Sequence, residues 1–135
     1  MKSIIVDAGP LIALFRRRDA HHRRIKEFVA SNPARLIATL AVVTEVCHFL
    51  NARGKIAFLT WIKRGGLFIQ PIAADDFDQL IPVIERYADR DIDFADASLI
   101  WLADRSNTAE VMTIDRTDFT AYRLSSGKPF DLILA

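Results

Sequence analysis

The feature that most constrains the fold is an alternation. Short runs of branched apolar residues, residues 2–7 ("KSIIVD"), "RLIAT", "LFIQPI" and "EVMTID", are separated by longer stretches of helical character. Strands joined through helices lie parallel, because a parallel neighbour needs a crossover of a dozen or more residues. The run Ile4-Ile5-Val6 lacks the apolar–polar alternation of a half-exposed strand and reads as buried on both faces. An α/β domain around a parallel sheet is expected, with the tail "FDLIL" as a short fifth strand at an edge.

Helices fill the intervals. Pro10 sits where a first helical turn accepts it, followed by Leu11, Ile12, Leu14 and Phe15. A polar stretch, "RRRDAHHRR", leads into a helix around Ile25, Phe28 and Val29 that stops near "SNP". "LAVVTEVCHFLNARG" is expected as one helix of about four turns, stopped by Gly54. "KIAFLTWIKRGG" follows as a basic amphipathic helix closed by paired glycines. "DDFDQLIPVIERYAD" is a helix with acids at its start, bent at Pro82, and "DFADASLIWLADR" is another. Without repeats, low-complexity tracts or linkers, residues 1–135 are expected to form a single domain.

Composition bounds the rest. Hydrophobic residues make up 51% and charged residues 26%, enough for a sizeable core. Charges interrupt every apolar run well before the roughly 18 residues of a membrane span. The start lacks the pattern of a signal peptide, and Cys47 alone excludes an internal disulfide or a Cys-rich zinc site. A cytoplasmic protein is expected. The net charge of +1 hides an asymmetry: residues 1–70 hold 12 Lys/Arg against four acids, and residues 71–135 hold six against 13. The halves read either as a phosphate-facing and a cation-gathering side or as two solvated faces.

Carboxylates carry the chemistry. Ligands of open parallel sheets gather beyond the carboxyl ends of the strands, where Asp7 and Asp115 end the first and fourth strands. Either is a common loop residue alone, but two acids on one rim repel unless a cation joins them. Glu45 falls at the margin of its helix's apolar face, where a rim glutamate reaching to water is the simpler reading. Asp93 is placed to cap the late helix, with Asp96 three residues on at capping-box spacing. One acid suffices for capping, and Asp96 shares a face with Leu99, Ile100 and Ala103, so it should point inward. No lysine or arginine close in sequence offers it a partner. Four such acids suit a hard divalent cation, and Mg²⁺ takes oxygen ligands while keeping several waters. His21, His22 and His48 lack H-E-x-x-H spacing and read as solvent-facing, with His21 or His22 within reach of a phosphate.

The motifs "IIVDAGPLIAL", "VVTEVCHFL", "DFADASLIWLADR" and "TIDRTDF", in this order, resemble those of PIN-domain nucleases, and are most like the VapC toxins of bacterial type II toxin–antitoxin pairs. The resemblance runs from about residue 3 to about residue 124. It implies a three-layer α/β/α PIN-like domain with a central parallel sheet of four to five strands, and Mg²⁺- or Mn²⁺-dependent endoribonuclease activity. By resemblance, Asp7 and Asp96 hold the metal and Glu45 orients a water or holds a second ion. Asp115 is the fourth acid, with Asp118 competing for that place, and Thr113 is a small polar residue that could hold one of the acids. Many relatives carry a hydroxyl or amide residue just after the first acid; Ala8 and Gly9 stand here instead, removing a donor to Asp7.

The implied reaction is in-line hydrolysis by metal-activated water, leaving a 5′-phosphate and a 3′-hydroxyl, with one or two ions. Arg16, Arg17, Arg18, Arg23 and Arg24, and the segment "KIAFLTWIKR", are candidates for holding RNA phosphates. Ile56, Phe58, Leu59, Trp61 and Ile62 exceed one core-facing stripe, which suits a homodimer contact or a groove for an antitoxin helix. An antitoxin is also expected to bring a cation to the acidic site. Among rivals, a receiver-like phosphoacceptor needs a lysine after a late strand, where Arg116 stands. A haloacid-dehalogenase-type phosphatase needs an aspartate where Gly9 stands. A non-catalytic RNA- or protein-binding module would be favoured by loss of an acid, and all four are present. A metal-free ribonuclease needs two histidines straddling a phosphate, which adjacent His21 and His22 do not offer.

Overall fold

Ile4, Ile5 and Val6 are each 2% exposed or less, as a strand covered on both faces requires. The computed structural model describes residues 2–134. Its strands are β1 (Ser3–Val6), β2 (Arg35–Ala38), β3 (Phe68–Ile69), β4 (Glu110–Met112) and β5 (Asp131–Ile133). They form one sheet in the order β3-β2-β1-β4-β5, with every neighbouring pair parallel. The helices are α1 (Ala8–Leu14), α2 (His22–Ser31), α3 (Leu40–His48), α4 (Ala52–Lys63), α5 (Phe77–Arg86), α6 (Phe94–Ser106) and α7 (Arg116–Ala121).

From β1 the chain steps outward to β2 and β3, then returns to lay β4 on the other side of β1. Right-handed crossovers place the helices of these two halves on opposite faces, giving the α/β/α layering. Helix α1 packs on α2 and α3, α5 packs on α6, and α3 also meets α6, the Thr39 and Ser98 hydroxyls bonding at 2.7 Å. The strand order reverses between β1 and β4, so a crevice opens beyond their carboxyl ends. Helix α6 is buried continuously from Ala97 to Ala103, as expected of a helix with protein around most of its circumference.

The expected single helix over residues 40–54 is two: α3 stops at His48, and Asn51 turns extended and caps α4 by accepting from the Gly54 amide at 2.9 Å. Asparagine is among the strongest N-caps. Gly54 therefore lies in the first turn of α4, where a Cβ would come within 3.3 Å of Leu50 Cβ. The third strand is two residues long, because Pro71 has no amide to extend the ladder beyond the Gln70–Ala38 bond. The fourth strand ends at Met112, so Asp115 does not end it but opens α7, a helix the sequence reading lacked. Similarly, β1 ends at Val6 and Asp7 is the N-cap of α1. Among the described residues, no helix is long and apolar enough to cross a membrane.

Candidate active site

Asp7 stands at the switch point and is anchored by two donors. Its Oδ1 accepts the Ala8 amide at 2.8 Å and its Oδ2 the Thr113 hydroxyl at 2.9 Å. Thr113 is fully buried beyond β4, and its hydroxyl oxygen also accepts the Asp115 amide at 2.9 Å. The hydroxyl missing after Asp7 in sequence is thus supplied from 106 residues away. At position 9 a side chain has no room, since a Cβ would lie 2.9 Å from Ile114 Cγ1.

Asp96 enters from the first turn of α6. Asp93 caps that helix by accepting the Asp96 amide at 2.8 Å, so the Asp96 carboxylate is not needed as a cap. Its Oδ2 instead accepts the Tyr122 hydroxyl at 2.8 Å. Burial, and then the Asp96 carboxylate, push the Tyr122 hydroxyl far above the ordinary phenol range, so it stays protonated and donates. Glu45 lies half-buried on α3 and makes no side-chain hydrogen bond among the described residues.

These carboxylates feel one another. Burial pushes Asp7 upward against its two donors, and the charges of Asp115 and Asp93 push it further. Asp96 is pushed up to about 7, chiefly by burial; Tyr122 opposes this, and the charges of Asp7, Asp93 and Asp118 add to it. Glu45 is raised by burial and then by Asp7 and Asp93, with His48 opposing. Asp115 is exposed, and its Oδ1 is turned to the Thr117 and Asp118 amides at 3.0 and 3.4 Å, capping α7. Asp118 pairs with Arg90 at 3.1 Å.

Tyr122 and Arg90 were invisible to the sequence reading. Arg90 does lie close in sequence to Asp96, yet it pairs with Asp118 and faces the Tyr122 ring at 6.0 Å. Among the described residues no lysine or arginine forms an ion pair with Asp7, Glu45 or Asp96. Mutually repelling, desolvated carboxylates without a base fit a hard cation. No three Asp, Glu, His or Cys side chains among the described residues form a metal-holding group by themselves. Histidine offers no alternative: His22 Nδ1 bonds the Ala13 carbonyl at 2.8 Å, His21 is half-buried rather than solvent-facing, and His48 is exposed.

A groove with a cationic rim lies at the far ends of α1 and α3. Arg16, Arg17, Arg18, Lys26 and Arg53 edge an apolar floor that includes Phe15 and Trp61. Arg23 and Arg24 are otherwise engaged, with Glu27 at 3.2 Å and with the Leu134 carbonyl. On α4, Phe58 is fully buried and Trp61 and Ile62 partly so, whereas Ile56 and Leu59 remain 68% and 48% exposed. Gly66 makes room for the Trp61 indole, which a Cβ would meet at 2.2 Å.

Comparison with known proteins agrees with this geometry. The chain is 28% identical over 134 residues to ribonuclease VapC26 of Mycobacterium tuberculosis, spanning 96% of this chain and 99% of that protein. Its fold superposes on the crystal structure of Mycobacterium tuberculosis VapC20, described as a sarcin-ricin loop cleaving toxin. That match has a TM-score of 0.72 and 23% identity, over 80% of this chain and 86% of the other. The PIN domain family model matches residues 4–123, from the first buried strand to just past Tyr122. The chain belongs to the PIN domain family.

Proposed function

We propose that this protein is a Mg²⁺-dependent endoribonuclease, the toxin of a type II toxin–antitoxin pair, acting in the cytoplasm as one domain over residues 1–135. The reading is supported by Asp7 at the switch point of a PIN domain, whose charge is felt by both Glu45 on α3 and Asp96 on α6. All three are raised in pKa, chiefly by burial, and among the described residues no lysine or arginine pairs with any of them. The 28% identity to a ribonuclease over nearly the whole chain supports the same chemistry.

Asp7 and Asp96 would hold the ion, Mn²⁺ serving in place of Mg²⁺. The ion, when bound, supplies activation of water and stabilisation of charge on a phosphoryl oxygen. Glu45, with a raised affinity for protons and no internal hydrogen bond, orients the attacking water and accepts its proton at Oε. Thr113 holds Asp7 against rotation. Asp115 or Asp118 supplies the fourth acid, and Asp93 keeps the first turn of α6 in register. Attack in line at phosphorus forms the new P–O bond and breaks the P–O3′ bond, the 3′-oxygen taking a proton from solvent water, which leaves a 5′-phosphate and a 3′-hydroxyl.

Arg16, Arg17 and Arg18 bind backbone phosphates, with Arg23 and Arg24 extending the track when released from their internal partners. Helix α1 has seven residues, about 10 Å at 1.5 Å per residue, and Arg16 lies two residues beyond its end. The exposed Ile56 and Leu59 suit a homodimer contact or an antitoxin helix. The antitoxin would bring a cationic side chain to the acids in competition with metal. A mixed RNA pool incubated with Mg²⁺, with excess chelator, and with Asp7→Asn tests the reading. Cleavage in the first lane alone is expected; equal cleavage in all three would refute it.

A further inference from the structure

The Tyr122 hydroxyl is the one hydrogen bond that the Asp96 carboxylate accepts among the described residues. Asp7, by contrast, accepts two. The two sites of support are built by one short stretch of chain. Asp115 opens α7, and Tyr122 closes it, its amide bonded to the Asp118 carbonyl at 3.1 Å. From the end of this helix Tyr122 reaches Asp96, while Asp118 one turn earlier pairs with Arg90 and Asp115 caps the helix.

The Tyr122 ring is held firmly. It meets Tyr87 edge-on at 5.1 Å and Phe119 at 5.2 Å, and only 2% of the residue is exposed. Tyr87 is fixed in turn, its hydroxyl accepting the Arg123 amide at 2.7 Å. A ring so packed presents its hydroxyl at a set point, and a carboxylate bonded there through Oδ2 keeps Oδ1 in a set direction. A buried tyrosine hydroxyl, a neutral donor on a packed ring, serves this purpose better than a lysine or arginine. It fixes the carboxylate without neutralising the charge that an ion needs. Loss of a hydrogen bond that orients a metal-holding group costs about ten- to a hundredfold in metal affinity.

We infer that Tyr122 is a positioning residue that orients the Asp96 carboxylate toward the divalent ion from a buried aromatic cluster. The inference rests on the reading of Asp96 as a metal-holding carboxylate, and the test separates the two. Mn²⁺ binding would be titrated by electron paramagnetic resonance on the wild type, Asp96→Asn, Tyr122→Phe and Tyr87→Phe, with thermal unfolding of each in chelator. Tyr122→Phe keeps the ring and its packing, so its fold should persist while its Mn²⁺ affinity falls about ten- to a hundredfold. Tyr87→Phe keeps the ring packed on Tyr122 but frees it from the Arg123 amide, so its Mn²⁺ affinity should fall by less than that of Tyr122→Phe.

Wild-type affinity in Tyr122→Phe, alongside a loss in Asp96→Asn, would overturn the role of Tyr122 and leave the metal site standing. Equal Mn²⁺ affinity in the wild type and Asp96→Asn would overturn the metal site and this inference with it. Should Tyr122→Phe fail to fold, the wild type provides the readout by proton NMR. The Tyr122 hydroxyl proton should be slow to exchange without metal and should shift on adding Mg²⁺. Fast exchange and no shift would refute the inference.

Discussion

Asp96→Asn in metal-free protein should raise stability while abolishing cleavage. The Asp96 carboxyl moves from 3.8 to about 7 on folding. An acid whose folded value is raised binds protons more tightly in the folded state, so stability falls as pH rises from about 4 to about 7 and stays low above. At 1.36 kcal/mol per unit the full shift would be about 4 kcal/mol. The carboxylate is partly open to water, and screening reduces this to about 1–2 kcal/mol. Asparagine removes the charge, and its amide oxygen still accepts from Tyr122. At pH 8.5 with chelator the variant should therefore melt about 3–8 °C above the wild type. The difference should shrink as pH falls toward 4, and Mg²⁺ should restore the wild type alone. Differential scanning calorimetry across pH reads this directly. A gain of the same size at every pH, or none at pH 8.5, would refute the argument that Asp96 is charged at a cost until an ion is bound.

Other perturbations probe separate parts of the structure. Thr113→Val keeps the shape but removes the donor to Asp7 and the acceptor for the Asp115 amide; a loss of about 1–3 kcal/mol is expected in urea unfolding, with weaker Mn²⁺ binding. Gly66→Ala puts a methyl into the Trp61 indole, and should cost about 1–3 kcal/mol in the same assay. Replacing Arg16, Arg17 and Arg18 together by alanine should weaken RNA binding across sequences and flatten its logarithmic salt dependence by about one per lost phosphate contact. An unchanged slope in filter binding would remove these residues from the RNA track.

The sheet and the late helix were legible because their signals are local. Ile4-Ile5-Val6 announces a doubly covered strand, and Asp93 with Asp96 announces a helix start that the structure contains. Helices α3 and α4 were fused in the sequence reading because Gly54 resembles a helix stop, while the cap that decides the matter is the side chain of Asn51. Asp115 was placed on a strand because "VMTID" looks continuous. Its Oδ1 contacts with the Thr117 and Asp118 amides show the chain already turning into α7. Thr113 was reached only through family resemblance. Tyr122 was not reached at all, since its partner is 26 residues away and the end of α7 meets the start of α6 only in the folded chain. What escaped is what depends on a side chain meeting a distant one.

The central claim is that these carboxylates direct water onto an RNA phosphate. The most direct test is cleavage of RNA with Mg²⁺ in H₂¹⁸O, with mass analysis of the product ends. The account predicts one ¹⁸O in each new 5′-phosphate, opposite an unlabelled 3′-hydroxyl. Products ending in an unlabelled 2′,3′-cyclic phosphate would contradict it, because the RNA's own 2′-hydroxyl would then be the nucleophile.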